Sequence, residues 1–185
     1  MDGKLLFFSA FLKNPKEIGS VVPSSKFLVN DLLECVDFEN AKHIVEYGSG
    51  TGRITNEILK RARPDAKILC FEINRKLYSY LKRSLKDRRV IIINDSAENI
   101  AKHLKILGIP EIDYVISGLP FSNLSDKKKI TIISETEKTL KSEGRFVIYQ
   151  YFKDFRKYLY DYFSNVSTKF VALNIPPCVI YVCWK

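Results

Sequence analysis

Residues 43–52 read HIVEYGSGTG, and they predict a strand, a glycine-rich turn and the start of a helix. Residues 43–47 form a short apolar run of the kind that predicts a buried strand. The three glycines after it predict a tight turn, whose backbone a ligand can approach closely because glycine lacks a Cβ. A helix is expected to begin after Gly52 and to end before Pro64. Such a helix would point its free N–H groups and the positive end of its dipole at that ligand.

The same alternation of apolar runs and helical patterns continues along the chain. Further strands are predicted at residues 67–72, 90–94, 114–117 and 145–149, and helices near residues 75–86, 97–107, 127–140 and 152–163. The helix near 97–107 is expected to end at Gly108. Apolarity within the strands is continuous, which is typical of a parallel sheet covered on both faces. The expected fold is therefore α/β, with a doubly wound, Rossmann-like sheet.

The C-terminal part breaks this rhythm. Residues 168–175 and 178–184 are predicted strands without a helix between them, so they must pair as an antiparallel hairpin. Five strand–helix units followed by such a hairpin resemble the seven-stranded sheet of class I methyltransferases. Helical pieces are also expected at residues 4–13 and 24–36, the second with Ser24 or Ser25 as its N-cap. We predict an N-terminal helical extension over residues 1–36 and a cofactor-binding domain over residues 37–185.

The net charge of +9 is unevenly distributed. Residues 53–89 hold twelve Lys or Arg against four Asp or Glu. Such a surplus favours an anionic partner, either a nucleic acid or a membrane surface, although a solubilising surface is the alternative. No apolar run approaches the ~18 residues of a spanning helix, and the N-terminus lacks a signal-peptide cleavage pattern. The four cysteines show no zinc or disulfide spacing, so we expect buried thiols in the reducing cytoplasm and no metal site. We also expect the protein to be a monomer.

Acidic residues end three consecutive predicted strands, and each suits one part of S-adenosylmethionine. Glu46 would bind or orient the amino group of the methionine moiety, directly or through water, and Glu72 would accept both ribose hydroxyls. Asp95 would accept the adenine amino group or serve as the N-cap of the next helix. The G-x-G-x-G spacing differs from the dinucleotide fingerprint G-x-G-x-x-G. The predicted cofactor-binding residues are Glu46, Gly48, Ser49, Gly50, Thr51, Gly52, Glu72, Ile73, Asp95, Ser96, Ala97 and Ser117.

Three further motifs resemble those of the bacterial-type phospholipid N-methyltransferases. Residues 14–25 (NPKEIGSVVPSS) are similar to the P-x-x-x-G-x-x-x-P-S-S motif of that family. Residues 117–121 (SGLPF) resemble its S-G-L-P segment, and residues 174–177 (NIPP) resemble its late N-x-P-P turn. The resemblance runs nearly end to end. It implies stepwise methylation of phosphatidylethanolamine towards phosphatidylcholine on the inner face of the membrane.

The methyl-acceptor site is expected at the carboxyl ends of the fourth and fifth predicted strands. More distantly similar ribosomal RNA adenine dimethylases carry N-[LI]-P-[FY] there, and Gly118 at the asparagine position argues against adenine as the acceptor. Phe121 could stack on a base, contact an alkylated amine through a cation–π interaction, or simply pack. His43 and His103 lack an acid or nucleophile pattern and are expected to be structural. The predicted acceptor-site residues are Ser117, Gly118, Leu119, Pro120, Phe121, Tyr149 and Tyr151.

Three functions remain open at this point. An aminophospholipid methyltransferase is the first, and an RNA methyltransferase, which would normally need a further RNA-binding module, is the second. The third is a membrane-binding protein with an inactive cofactor site. On a helix over residues 4–13, Leu5, Phe8 and Leu12 share one stripe, which predicts either a lid over the cofactor or an interfacial helix on an anionic membrane.

Overall fold

The computed structural model of the chain describes residues 25–151, 155–174 and 176–185. The helices are α1 (Lys26–Leu33), α2 (Arg53–Arg61), α3 (Arg75–Ser84), α4 (Ile100–Leu107), α5 (Asp126–Thr139) and α6 (Lys157–Tyr160). The strands are β1 (His43–Tyr47), β2 (Lys67–Phe71), β3 (Val90–Ile93), β4 (Ile112–Ser117), β5 (Leu140–Gln150), β6 (Asn165–Val171) and β7 (Cys178–Trp184). Short 3-10 helices lie at Ala97–Asn99 and Phe121–Asn123.

One seven-stranded sheet runs through the domain in the order β3-β2-β1-β4-β5-β7-β6. Strands β1 to β5 are parallel, and β7 lies antiparallel between β5 and β6, which confirms the predicted sheet and its C-terminal hairpin. The strand order reverses between β1 and β4, and ligands of such sheets bind where this reversal meets the carboxyl ends of the strands. We call this end of the sheet the carboxyl edge.

Helix α1 packs on the same face of the sheet as α2. Its side chains Leu28, Val29, Leu32 and Leu33 are buried, and α4, α5 and α6 cover the opposite face. Ser25 is the N-cap, since its side chain accepts the N–H of Leu28, as one of the two predicted serines should. The Ser25 N–H donates to Oδ1 of Asn174 at 3.1 Å, in the loop that joins β6 to β7. Because β7 begins opposite the end of β5, this contact places the start of α1 at the carboxyl edge.

Several predictions for the N-terminal region fall outside the described residues. These are the helix over 4–13 and the motif at 14–25 except for its last serine, and the extension ending at residue 36 stays a prediction. Within the described ranges, no helix is long and apolar enough to cross a membrane. The same ranges contain no group of three potential metal ligands, and all four cysteines are free thiols, of which Cys35 is only partly buried.

Several predicted boundaries were wrong, among them the end of the first hairpin strand, which is Val171 instead of 175. Strand β5 begins at Leu140 instead of 145, and its pairing with β4 shifts register between Ile112 and Tyr114. Gly144 lies in this irregular part of β5, and a Cβ added there would lie 3.0 Å from the carbonyl oxygen of Ile112. Residues 141–144 are polar or glycine and lack the apolar run that predicts a strand, so the irregular start of β5 was not predicted. The described helix before β6 spans only Lys157–Tyr160, and β6 begins at Asn165 instead of 168. As an edge strand with mostly exposed side chains, β6 lacks the apolar run on which the prediction depended.

Candidate active site

The turn between β1 and α2 has the backbone that its glycines predict. Gly48, Gly50 and Gly52 have φ angles of 73°, 56° and 79°, in the left-handed region that other residues rarely adopt. A Cβ on Gly48 would lie 3.2 Å from the side chain of Leu119, so the turn is also closely packed against the loop after β4. Gly52 is the N-cap of helix α2 and offers no side-chain acceptor, which leaves the first N–H groups of the helix for another acceptor. The turn therefore fits the carboxylate of the cofactor's methionine moiety.

Ser49 lies in the same turn with a buried side chain. This side chain lowers the pKa values of the buried Glu46 and Cys70, so Ser49 belongs to the polar cluster beneath the turn.

The carboxylate of Glu72 lies directly against the glycine turn. One oxygen accepts the N–H of Gly50 at 2.8 Å, and the other accepts the N–H of Asn74 at 2.8 Å, at the start of α3. Asn94 supports the same segment by donating from Nδ2 to the carbonyl oxygen of Glu72 at 2.7 Å. The predicted ribose acceptor is thus fixed at the mouth of the turn, with the exposed Ile73 beside it.

Glu46 lies beneath the turn, in a buried polar cluster. Its carboxylate accepts the hydroxyl of Thr55 at 2.5 Å and lies 3.8 Å from Sγ of Cys70. Burial raises the pKa of Glu46 to about 7, although the hydrogen bond from Thr55 opposes this shift. Only 1% of Glu46 is exposed, so its carboxylate supports the turn from below. Contact with the cofactor's amino group, as predicted, would have to be made through the turn or through water.

Asp95 follows β3 and is held by donors from the next eight residues. Its carboxylate accepts the N–H of Ser96, the side-chain amide of Asn99 and Nε2 of His103. The hydrogen bond from His103 lowers the pKa of Asp95 more than any other contact. Two expectations are corrected here: Ser96, and not Asp95, is the N-cap of the 3-10 helix at Ala97, and His103 has an acid partner.

The end of β4 reaches the glycine turn at Gly118. Its N–H donates to the carbonyl oxygen of Tyr47 at 2.9 Å, and a Cβ on Gly118 would lie 3.4 Å from Oη of Tyr149 and 3.5 Å from the carbonyl oxygen of Gly48. Ser117 is buried, and its Oγ accepts the N–H of Leu119 at 3.3 Å. The structure thus brings the glycine turn, the predicted acceptor segment and the end of β5 together around Gly118.

The predicted aromatic residues occupy different environments. Phe121 is fully buried, and its ring centroid lies 4.6 Å from that of Phe155, so this geometry favours the packing role. Tyr149 and Tyr151 are partly exposed and contact each other edge to face at 6.1 Å. Of the three, the two tyrosines are therefore the side chains that an acceptor could reach.

Sequence reasoning missed Gln150, the last residue of β5. It is buried and donates from Nε2 to the carbonyl oxygen of Leu119 at 2.9 Å, which fixes the segment 117–121 against the end of β5. A polar residue directly after a buried apolar strand was the available signal. Thr55 was missed for a different reason, because a threonine inside an amphipathic helix is an ordinary occurrence.

The chain matches a known family and has a relative of nearly the same extent. Residues 20–172 match the model of the methyltransferase small domain family. An ornithine lipid N-methyltransferase of Singulisphaera acidiphila is 27% identical over 99% of this chain and 96% of that protein. The ribosomal RNA small subunit methyltransferase A of Mesomycoplasma hyopneumoniae is 27% identical over 85% of this chain, which spans about half (51%) of that relative.

Solved structures share the fold. A precorrin-6y C5,15-methyltransferase of Geobacter metallireducens has a TM-score of 0.70 at 20% identity, covering 85% of this chain and 87% of that one. The Streptococcus mutans protein SMU.1697c, whose structure is a complex with S-adenosylhomocysteine (SAH), has a TM-score of 0.59 at 18% identity, covering 85% and 95%. At these identities the likeness concerns the fold alone.

Proposed function

Because the chain belongs to the methyltransferase small domain family and is an S-adenosylmethionine-dependent methyltransferase, we propose that it methylates the amine of a membrane lipid. The proposed acceptors are phosphatidylethanolamine and its methylated intermediates, as the resemblance to phospholipid N-methyltransferases implies. The whole-length relative that acts on ornithine lipid also supports a lipid amine as acceptor.

The position of Gly118 carries this proposal. It stands where base-methylating relatives are expected to have an asparagine that binds the target amine, and it leaves the space beside Tyr149 without a side-chain amide. Loss of such a hydrogen bond costs about 1–3 kcal/mol when its partner stays unpaired. An amine that carries or gains methyl groups needs room more than it needs donors and acceptors. The tyrosine rings beside this space suit a methylated cation through cation–π contact.

Methyl transfer from S-adenosylmethionine to an amine requires few catalytic groups from the protein. S-adenosylmethionine supplies a methyl group on a positively charged sulfur, which is already a good leaving group. The acceptor nitrogen must arrive neutral, with its lone pair directed at that methyl group, and it must lose a proton to solvent over the reaction. Partial burial beside the glycine turn and nearby positive charge would both lower the pKa of the amine. The proposed task of residues 117–121 and Tyr149 is therefore to orient the amine and exclude water.

Cations around the carboxyl edge support an anionic surface as the place of reaction. Five of them, the rim cations, stand in the first turns of helices that begin at this edge: Lys26, Arg53, Arg75, Lys76 and Lys127. None of them forms an ion pair within the described residues. A cation at the positive end of a helix dipole is unfavourable by about 0.3–1 kcal/mol. A negatively charged membrane surface would offset this cost.

Exposed apolar side chains at the same edge favour a membrane over RNA. Phe27 at the start of α1, Phe170 near the end of β6 and Leu173 in the following loop are 55%, 63% and 65% exposed. Aromatic and aliphatic groups flanked by cations suit the headgroup layer of a bilayer. We propose peripheral binding at the inner face of the membrane, to which the predicted helix over 4–13 would add.

RNA is the second candidate acceptor, supported by the ribosomal RNA methyltransferases among the relatives and by the rim cations. A labelled-methyl assay separates the candidates when it is run in parallel on vesicles of phosphatidylethanolamine with anionic lipid, on vesicles with ornithine lipid, and on total RNA. We expect label in phosphatidylethanolamine and much less label with Glu72→Ala. Label in ornithine lipid alone would show that the acceptor headgroup is that of ornithine lipid and not phosphatidylethanolamine. Label in RNA alone would overturn the proposal. SAH binding without any label would indicate an inactive protein.

A further inference from the structure

The carboxylate of Asp95 is oriented by three donors that lie close in sequence. Oδ1 accepts the N–H of Ser96 at 2.7 Å and Nδ2 of Asn99 at 2.8 Å, whereas Oδ2 accepts Nε2 of His103 at 2.8 Å. An ionised carboxylate offers about four lone-pair positions. With two used on Oδ1 and one on Oδ2, the remaining position lies on the oxygen that His103 holds.

His103 is itself held from the other side. Its ring packs edge to face on Phe71, with centroids 5.5 Å apart, and only 21% of its side chain is exposed. Phe71 is buried and is the last residue of β2, directly before Glu72. His103 therefore links the ends of β2 and β3, where two acids of the predicted cofactor site stand.

We propose that His103 is a positioning residue for the nucleobase of the cofactor. By holding Oδ2 of Asp95 in place, it directs the remaining lone pair towards the exocyclic amino group of adenine. Hypoxanthine carries a carbonyl oxygen at that position, and a carboxylate cannot accept a hydrogen bond from a carbonyl. The pair Asp95–His103 thus selects an amino-bearing base. This inference concerns cofactor binding and does not depend on which acceptor is methylated.

Calorimetry with SAH and with S-inosylhomocysteine tests the proposal on the full chain. For His103→Ala we expect about tenfold weaker binding of SAH, the loss of roughly one well-oriented hydrogen bond. Binding of S-inosylhomocysteine should change less than about twofold, because its exocyclic carbonyl oxygen cannot donate to Asp95. His103→Gln can still donate from Nε2 and should restore part of the affinity for SAH. Thermal unfolding of each variant monitors the fold.

His43 provides the matched control, because its Nδ1 contacts the carbonyl oxygen of Glu111 at the opposite end of the sheet. His43→Ala should bind both ligands as the wild type does. Equal weakening of both ligands by His103→Ala would assign the histidine a general structural role and overturn the proposal. Unchanged SAH affinity in a folded His103→Ala variant would overturn it too.

Discussion

The carboxylate of Glu72 accepts the backbone N–H of Gly50 across 2.8 Å, so the acid that follows β2 is tied to the middle of the turn that follows β1. Its second oxygen accepts the N–H of Asn74 and so joins the start of α3 to the same point. One side chain thereby connects two loops that are 22 residues apart. The same acid is predicted to hold the ribose, which makes it the first residue to change.

Replacing Glu72 by alanine is expected to weaken SAH binding about 30-fold or more, because hydrogen bonds to a charged group contribute about 1.5–3 kcal/mol each. Glu72→Gln keeps one acceptor oxygen, so its affinity for SAH should lie between those of the wild type and Glu72→Ala. Calorimetry measures the affinities, with Glu143→Ala, an exposed acid that contacts neither loop, as the control. Wild-type affinity in Glu72→Ala would remove this acid from the site.

Glu46 should make the stability of the protein fall as the pH rises from about 4.5 to 7. In this interval the folded chain keeps a proton on Glu46, whose pKa is raised from 4.5 to about 7, while the unfolded chain has already lost it. Glu46→Gln still accepts a hydrogen bond from Thr55 but carries no titratable group at this position. We expect the free energy of unfolding of this variant to fall by roughly 1–3 kcal/mol less over this interval than that of the wild type. Urea unfolding at pH 5 and pH 8 measures the difference. Identical pH dependence of the two proteins would contradict the raised pKa.

Gly118→Ala should leave the fold intact and reduce turnover. The added methyl group would lie at ordinary contact distance, 3.4 Å from Oη of Tyr149 and 3.5 Å from the carbonyl oxygen of Gly48, and φ of Gly118 is not positive. It would nevertheless fill the space proposed for the acceptor amine. We expect about a tenfold drop in methylation of phosphatidylethanolamine vesicles, with SAH affinity unchanged within about threefold. Full turnover in this variant would place the amine elsewhere.

Reversing the charge of two rim cations should weaken the binding of the protein to anionic vesicles. The change Arg75→Glu/Lys76→Glu alters the charge at the carboxyl edge, and we expect at least about a tenfold loss, since each cation near such a surface contributes about 1 kcal/mol. Vesicle flotation measures it, and added salt should weaken binding of the wild type.

Lys82→Glu/Arg83→Glu is the matched control, because it makes the same charge change in the last turn of the same helix. Seven residues further along α3, it lies about 10 Å from the first pair, beyond the Debye length of about 8 Å at physiological salt. Equal losses in the two double variants would indicate that net charge, and not the rim, determines binding.

The amino-acid sequence by itself predicted the features that depend on neighbouring residues. A five-residue apolar run followed by closely spaced glycines can adopt few conformations, so β1, its turn and the start of α2 could be predicted from residues 43–52. The parallel sheet and the C-terminal hairpin were predicted for the same reason, since hydrophobic period and connection length are local properties. Glu72 was found because strand ends converge at one edge of such a sheet.

The directions of the polar side chains and their contacts with distant residues depend on tertiary packing. Glu46 faces Thr55 and Cys70 under the turn because β1 is buried on both faces, so that its carboxylate meets polar groups only where other elements supply them. Gln150 reaches Leu119 only after β5 has paired with β4, and Asn174 reaches Ser25 across 149 residues of chain. Such hydrogen bonds form when packing brings together groups that are distant in sequence, and no local pattern marks them in advance.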